Sequence, residues 1–341
     1  MKTTIPFLLP LLQLITPTLA LPRCDSGPCD DPAVLSLQTS TCHPYHIFIA
    51  RGSNSPRPGH AGELMRQICT SLGGNETCGY EDIEYPAKSG ANGPGEWCKS
   101  AHAGTIAAQA QLANYTERCP ESQMVLLGFS QGASVTLDSL GGGGGVQVFG
   151  CEQPENEGLS RQSAAGSRIA AIAVFGTTVR TAHTPYTVKD GAPFNGTHTR
   201  LPAYQAGLKP YYSILREYCN HGDPMCASGS KPSSLDNHLN YFRNYTDEAA
   251  EWVVQTVRKG ENAKTAAEEE DLTREGTDGG SGGIIGTASS GGSRVLAMAA
   301  ESPWAWWGAV MLGTTLFLCV ALLAKSALSR GFLLRRRWTL L

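Results

Sequence analysis

Residues 124–137 read MVLLGFSQGASVTL. The first five residues form an apolar run that is typical of a buried strand, and the residues after Gly132 favour a helix. Between them lies a Gly-x-Ser-x-Gly pattern centred on Ser130, which is typical of a sharp strand-to-helix turn that exposes a serine hydroxyl. The glycines at positions 128 and 132 allow neighbouring chain to approach this turn closely. We therefore predict that Ser130 is a nucleophile.

A serine nucleophile needs a general base and a carboxylate that orients the base. In this kind of turn the partners follow the serine in the order acid, then histidine. Asp223 and His238 have that order, and both follow the last predicted strand, where loops gather at the carboxyl edge of a parallel sheet. His221 is a competing base, but it lies on the same short loop as Asp223 and is poorly placed to contact both Ser130 and that acid.

Strand and helix patterns alternate on both sides of this motif, over residues 31–258. Apolar runs predict buried strands at residues 45–50, 124–128, 169–175 and 211–215. Helix-like segments lie at residues 62–72, 101–115, 133–140 and 246–259. This alternation favours one α/β domain with a mainly parallel sheet and helices on both faces. We expect His43 and His46, which flank the first strand, to be surface or interface residues.

The composition limits what the chain can do. It has 341 residues, of which 41% are hydrophobic, with 27 basic and 30 acidic residues and a net charge of −3. The apolar share is large enough for a folded core, which excludes disorder over the full length. The near-neutral charge lacks the basic surface that phosphate binding requires, so we expect no nucleic-acid partner.

The N-terminus indicates export. Residues 1–20 combine a basic start, a short apolar stretch and small residues before a cleavage site at Ala20, which predicts a removed signal peptide. Sequons for N-glycosylation agree with a secretory route, and they begin at Asn75, Asn114, Asn195 and Asn244.

The C-terminus predicts a membrane anchor. Residues 259–303 are rich in Gly, Ser and Glu, which predicts a flexible linker. Residues 304–324 carry no charge and are flanked by tryptophans and by a basic cluster, which predicts a transmembrane helix with residues 325–341 as a cytoplasmic tail. The globular domain would then lie outside the cell at its surface. A glycolipid-anchor signal, or secretion after processing, is the alternative.

The motifs together resemble the cutinase and acetylxylan esterase family of secreted serine esterases, over roughly residues 40–258. The resemblance rests on ARGS at residues 50–53, on GFSQG at residues 128–132, and on GDPMC at residues 222–226 followed by a histidine. It implies an α/β-hydrolase fold of the cutinase-like type without a large cap domain.

The same resemblance implies a role for each site residue. Ser130 would be the nucleophile, His238 the general base and then acid, and Asp223 the carboxylate that orients the histidine. The backbone N–H groups of Ser53 and Gln131 would form the oxyanion hole. These groups are sufficient for ester hydrolysis through an acyl-enzyme, so we expect no cofactor and no metal ion.

The chain has 11 cysteines, and exported cysteines in such number usually form disulfides. The resemblance implies three pairs: Cys42–Cys119, Cys69–Cys78 and Cys219–Cys226. The pairing of four other cysteines stays open, namely Cys24, Cys29, Cys98 and Cys151. Oxidation also argues against a metal site built from Cys219, His221 and Cys226.

The resemblance implies two ester substrates, acetylated plant polysaccharide and the polyester cutin. We expect the protein to be a monomer. The spacing of Cys69 and Cys78 and the turn at residues 222–224 favour acetylated polysaccharide, whereas apolar residues at the rim of the cleft would favour cutin. An insert at residues 141–166 would shape that cleft. The alternatives are a serine hydrolase of another specificity and a catalytically weak surface binding or adhesion protein that retains the fold.

Overall fold

The computed structural model of the protein describes residues 31–278, with side chains described for residues 31–267. Several predicted features lie outside the described residues: the signal peptide at residues 1–20, residues 279–303 of the linker, the transmembrane helix at residues 304–324, the tail at residues 325–341, and Cys24 and Cys29. Within residues 31–278, no helix combines the length and the apolar character needed to cross a membrane.

Strands and helices alternate along the described chain. The strands are β1 (Tyr45–Ala50), β2 (Cys78–Asp82), β3 (Gln123–Phe129), β4 (Gln147–Val148), β5 (Cys151–Glu152), β6 (Ile169–Phe175), β7 (Thr187–Val188) and β8 (Leu215–Tyr218). The α-helices are α1 (Pro32–Leu35), α2 (Gly62–Ser71), α3 (Glu96–Arg118), α4 (Gln131–Gly141), α5 (Ala164–Arg168), α6 (Pro202–Gly207), α7 (Leu235–Leu239), α8 (Tyr241–Asn244) and α9 (Thr246–Asp278). Short 3₁₀ helices lie at Gly74–Glu76, Gly90–Asn92 and Lys209–Ile214.

The main sheet has six strands in the order β2-β1-β3-β6-β8-β7, and every pair in it is parallel. Strands β1, β3 and β6 are buried along almost their whole length. This explains their continuous apolar sequences, since helices cover both faces of a parallel sheet. The predicted parallel α/β sheet is therefore confirmed. Strands β4 and β5 pair separately as a short antiparallel hairpin.

Alternate side chains of the central strands fill two cores. Phe48 and Leu126 pack on one face with residues of α3 and α4. Ile49 and Leu127, the next residues along the same strands, pack on the other face with residues of α2 and α9. Each large aliphatic side chain buried in this way contributes about 1.5–3 kcal/mol to folding.

The fourth predicted strand differs from the structure. Residues 211–215 are largely part of the 3₁₀ helix Lys209–Ile214, and β8 begins only at Leu215. A short apolar run cannot distinguish a strand from a buried helical turn, and Pro210 in the first turn favours the helical start.

His46 is fully buried inside β1, contrary to the expectation of a surface position. Its ring stacks on Tyr115 with the ring centroids 4.1 Å apart. Burial lowers the pKa of His46, which favours the neutral ring that an apolar core accepts.

Helix α9 continues beyond residue 259 to Asp278, into the stretch that we expected to be flexible linker. Glu261 accepts hydrogen bonds from the Tyr45 hydroxyl at 2.6 Å and from Nε2 of Gln123 at 2.7 Å. These contacts join α9 to the first residues of β1 and β3. The folded domain therefore includes residues beyond 258.

The turn from β3 into α4 packs tightly against the end of β1. A Cβ atom at Gly132 would lie 2.0 Å from the carbonyl oxygen of Ala50. A Cβ atom at Gly128 would lie 2.7 Å from the carbonyl oxygen of Gly132. Because both contacts are with backbone atoms, no side-chain movement could relieve them. Only glycine at these two positions permits the close approach.

We predict that Gly132→Ala lowers the free energy of unfolding by about 3 kcal/mol or more, since the added methyl group overpacks against fixed backbone. Urea unfolding of the full-length protein, followed by circular dichroism, measures the change. Gly260→Ala is the matched control, because Gly260 lies in α9 with no atom within 4 Å of its added Cβ. The control should leave stability unchanged or raise it by up to about 1 kcal/mol. Equal unfolding curves for Gly132→Ala and the wild type would contradict the close approach of α4 to β1.

Candidate active site

The predicted site residues meet at the carboxyl edge of the parallel sheet. Ser130 directly follows β3, Asp223 lies on the loop after β8, and His238 lies in the short helix α7. Loops that follow parallel strands gather at one edge of a sheet, so residues far apart in the sequence become neighbours.

Ser130 has a strained backbone at the start of α4. Its φ is 56° and its ψ is −117°. A non-glycine residue with positive φ is uncommon, and such strain costs about 1–3 kcal/mol. The Ser130 N–H donates a hydrogen bond of 2.8 Å to the carbonyl of Phe175, at the end of β6, which holds the turn in place. The side chain lines a surface cavity.

Ser130, His238 and Asp223 form a continuous chain of hydrogen bonds. Nε2 of His238 lies 2.9 Å from Oγ of Ser130. Nδ1 of His238 lies 3.0 and 2.9 Å from the two carboxylate oxygens of Asp223. A carboxylate can only accept, so in the neutral ring Nδ1 carries the proton and Nε2 accepts from the serine hydroxyl. This arrangement lets Nε2 receive a proton when the hydroxyl reacts.

Asp223 is fully buried and keeps its charge through its hydrogen bonds. The Tyr241 hydroxyl donates to Oδ2 at 2.6 Å, and the Met225 N–H donates to Oδ1 at 2.6 Å. Burial raises the pKa of Asp223, but the hydrogen bond and charge of His238, with the Tyr241 and Met225 hydrogen bonds, hold that pKa below its ordinary value. Burial and the adjacent carboxylate raise the pKa of Tyr241 well above its ordinary value, so the phenol remains a donor.

A buried ion pair supports the loop that carries Asp223. Nε of Arg180 lies 3.0 Å from Oε2 of Glu217, and both side chains are almost completely buried. The same guanidinium donates to the carbonyl of Cys226 at 2.9 Å. The loop is closed by the disulfide Cys219–Cys226. Asp223 therefore lies on a segment fixed by a covalent bond and by a buried charge.

The described residues contain four disulfides: Cys42–Cys119, Cys69–Cys78, Cys98–Cys151 and Cys219–Cys226. Three of these are the pairs that the resemblance implied, and Cys98–Cys151 was left open by the sequence. Because Cys219 and Cys226 bond to each other, they do not provide thiolate ligands. No group of three potential metal-ligating side chains lies within the described part of the chain.

Ser53 and Gln131, the predicted oxyanion-hole residues, lie on the loop after β1 and at the first position of α4. Within residues 31–267, neither backbone N–H donates a hydrogen bond. The Gln131 side chain makes structural hydrogen bonds. Its Nε2 donates to the carbonyls of Lys88 and Trp97 at 2.9 and 3.2 Å, and its Oε1 accepts from Ser100 at 3.2 Å. The side chain thus links neighbouring segments, while the backbone N–H is unused.

Arg51 holds the loop that contains Ser53. Its Nε donates to the carbonyl of Ser55 at 2.8 Å, and its terminal nitrogen donates to the carbonyl of Tyr85 at 2.9 Å. The guanidinium also lies over the Tyr85 ring, 5.1 Å from its centroid. These contacts give Arg51 a structural role beside the site.

A cavity of about 460 Å³ opens beside Ser130 and His238. Its polar lining side chains are Ser53, Ser55, His60, Ser89 and Thr178. Its apolar lining side chains include Trp97, Phe129, Phe149, Met225, Leu235 and Leu239. Phe149, Leu235 and Leu239 are also exposed to solvent, so the rim of the cavity is apolar.

Sequence reasoning gave no role to Tyr241 or His60. Tyr241 lies three residues after His238, about one helical turn away, and that spacing is the signal that could have identified it. His60 packs edge-on against Phe129, which stacks on His238. Burial, together with the charge of His238, lowers the pKa of His60. His221, the competing base, packs instead against Phe194.

Comparison with known proteins agrees with the α/β fold. The sequence pattern of the Cutinase family matches residues 41–257. An acetylxylan esterase of Hypocrea jecorina is 30% identical over 241 residues, which are 69% of this chain and 73% of the relative. Cutinase 11 of Verticillium dahliae is 28% identical over 237 residues, 67% of this chain and 74% of the relative. The solved catalytic core of acetyl xylan esterase from Trichoderma reesei superposes with a TM-score of 0.54 at 27% identity, covering 63% of this chain and all of that structure.

We predict that Tyr241→Phe destabilises the protein by about 1.5–3 kcal/mol at pH 7, because it removes a hydrogen bond to a buried carboxylate. The pKa of Asp223 is depressed, so its carboxylate stabilises the fold above the ordinary value of 3.8, and that stability is lost as pH falls through the lower folded-state pKa. The difference between variant and wild type should therefore shrink at low pH. Urea unfolding at pH 7 and at about pH 3 measures it.

Tyr245→Phe is the control for this prediction. The Tyr245 hydroxyl donates to Oδ1 of Asn220 at 2.8 Å and makes no hydrogen bond to Asp223. Its loss should cost the same at both pH values. The same behaviour for Tyr241→Phe would contradict a role of that hydroxyl in holding the charge of Asp223.

Proposed function

The chain belongs to the cutinase family of carboxylic ester hydrolases, and from this premise we propose that it cleaves esters through a covalent acyl intermediate on Ser130. The observation that carries the proposal is the hydrogen-bond chain from the Ser130 hydroxyl through His238 to Asp223, with distances of 2.9 Å at both steps. A positioned nucleophile, its base and a buried carboxylate are the groups that acyl transfer requires.

In the first half-reaction, Oγ of Ser130 attacks the ester carbonyl carbon while Nε2 of His238 accepts the hydroxyl proton. The carbonyl oxygen becomes an oxyanion, and the unused backbone N–H groups of Ser53 and Gln131 are its proposed donors. The bond to the alcohol oxygen then breaks, and His238 gives its proton to that oxygen. The Asp223 carboxylate stabilises the imidazolium between these two proton transfers.

In the second half-reaction, a water molecule attacks the acyl group on Ser130. His238 accepts a proton from that water and returns it to Oγ of Ser130 when the carboxylic acid leaves. The groups needed for both steps are side chains and backbone of this chain, so the proposed reaction uses no organic cofactor and no metal ion.

For the substrate we propose an ester with an aliphatic acyl chain, as in a cutin-type polyester. The support is the apolar rim formed by Phe149, Leu235 and Leu239, where an aliphatic chain would cover exposed apolar surface. This reverses the preference that the Cys69–Cys78 spacing suggested. That disulfide joins α2 to β2 and does not line the cavity, so it carries no information about the acyl group.

Acetylated polysaccharide is the second candidate substrate. It is favoured by the similarity to an acetylxylan esterase and by the polar lining side chains Ser53, Ser55, Ser89 and His60, which could hydrogen-bond to sugar hydroxyls. Both candidates share the same chemistry at Ser130 and differ only in the acid and alcohol that the cavity holds.

We further propose that the protein passes through the secretory pathway and acts at the cell surface; its monomeric state stays a prediction from the sequence. Support for export comes from the four disulfides within residues 31–278, because disulfides persist in oxidising compartments. It also comes from the sequon asparagines, all exposed: Asn75, Asn114, Asn195 and Asn244. Membrane anchoring through residues 304–324 remains a prediction from the sequence.

We predict that Ser130→Ala and His238→Ala each reduce kcat for p-nitrophenyl butyrate by at least about 10⁴-fold, because each removes a group that acts as part of one unit. Initial rates of the purified full-length protein measure this. His221→Ala is the matched control and should stay within about twofold of the wild type, since His221 packs against Phe194 outside the cavity. If His221→Ala were inactive and His238→Ala active, His221 and not His238 would be the general base. No ester cleavage by the wild type would favour the surface-binding alternative.

We predict that kcat/KM rises from p-nitrophenyl acetate to the butyrate by about tenfold, because the butyrate has two more methylene groups and each contributes about 0.8 kcal/mol when buried. Release of fatty acids from cutin should likewise exceed release of acetate from acetylated xylan at equal ester concentration. The opposite order in both assays would reject the aliphatic substrate in favour of acetylated polysaccharide.

A further inference from the structure

Phe149 occupies a turn position that does not suit phenylalanine. It lies with Gly150 between β4 and β5, in a two-residue loop closed by the pairing of Val148 with Cys151. The φ angles are 48° at Phe149 and 77° at Gly150. Positive φ at both central positions is the pattern of a type I′ turn, which favours Asn-Gly. A bulky side chain with positive φ is strained. The turn itself therefore does not explain the phenylalanine.

Packing does not explain it either. The Phe149 ring is 46% exposed and makes an edge-on contact with Trp97 at a centroid distance of 5.4 Å. The rest of the ring borders the cavity that also contains Ser130. Because so much of the ring is exposed, it contributes little burial free energy to folding. Residues with a strained backbone tend to cluster at functional sites. Contact with a bound substrate would account for both features.

The hairpin that carries Phe149 is fixed to the domain at several points. Cys151 is bonded to Cys98 of α3. Gln153, two residues after Cys151, donates a hydrogen bond of 2.8 Å to Oδ2 of Asp138 in α4. Asp138 in turn forms an ion pair with Arg200 at 2.7 Å. These side chains of Gln153, Asp138 and Arg200 are buried. Because Ser130 begins α4, the hairpin is held in a fixed relation to the nucleophile.

We propose that Phe149 is a specificity-determining residue, whose ring forms the wall that contacts the aliphatic acyl chain of the ester. This inference rests on the proposed function, in which that acyl chain is bonded to Ser130. An acetyl group is too short to extend along the cavity, whereas a longer chain can reach the rim. The insert at residues 141–166 thereby acquires a role: it carries and anchors the hairpin that selects for longer acyl groups.

The test compares Phe149→Asn with the wild type, both as full-length protein, on p-nitrophenyl acetate and octanoate. For octanoate, kcat/KM should fall about tenfold, mainly through KM, as expected when about two methylene groups lose an apolar contact. For acetate it should stay within about twofold of the wild type. Because asparagine suits a type I′ turn, the variant should unfold at a urea concentration equal to or above that of the wild type.

Two further variants control the test. Phe149→Leu keeps an apolar side chain and should retain most of the octanoate activity. Ile106→Gln removes an equally exposed apolar side chain, since Ile106 is also 46% exposed, from a part of α3 that does not line the cavity. It should change neither substrate's kcat/KM.

The assays with acetate and octanoate distinguish a failure of the Phe149 role from a failure of the proposed ester hydrolysis. Equal losses on acetate and octanoate, or no loss on either, would overturn the role of Phe149. A wild type that cleaves acetate but not octanoate would also overturn it, while leaving ester hydrolysis intact. A wild type that cleaves neither ester would reject the proposed function itself, and this inference with it.

Discussion

The site depends on the contact between the first turn of α4 and the end of β1. Gly132 leaves room there for the carbonyl oxygen of Ala50, which a Cβ atom would approach to 2.0 Å. This contact brings the loop after β1, with Ser53, beside the N-terminus of α4, with Gln131. The positive φ of Ser130 is held between these elements and the carbonyl of Phe175. One close backbone approach therefore arranges the hydroxyl and the two unused N–H groups together.

The second requirement is a carboxylate that stays charged without access to water. Burial alone would favour the protonated form of Asp223, and an unpaired buried charge is strongly destabilising. His238, Tyr241 and the Met225 N–H together outweigh that effect. Asp223 and the Met225 N–H lie on the loop that the Cys219–Cys226 disulfide closes and that the buried Arg180 side chain supports. Several parts of the structure around the site therefore act together to keep the Asp223 carboxylate ionised.

The sequence predicted the parallel sheet because its central strands are buried on both faces and so read as continuous apolar runs. It predicted Ser130, Asp223 and His238 as site candidates because their order and local motifs are visible along the chain. It did not predict β2, whose five residues, Cys78–Asp82, do not form an apolar run. It placed His46 at the surface, because nothing local to that residue reveals the Tyr115 ring packed against it.

What the sequence by itself determined is the alternation of strands and helices and the strand-turn-helix motif that presents Ser130, since both follow from patterns within a few neighbouring residues. Only the tertiary structure decided which side chains surround Ser130 and its hydrogen-bond partners. Tyr241 reaches Asp223, and His60 and Phe149 reach the cavity beside Ser130, only when the sheet, the Asp223 loop and the β4–β5 hairpin are assembled. The character of the cavity rim is a property of such long-range contacts, and no local pattern encodes it.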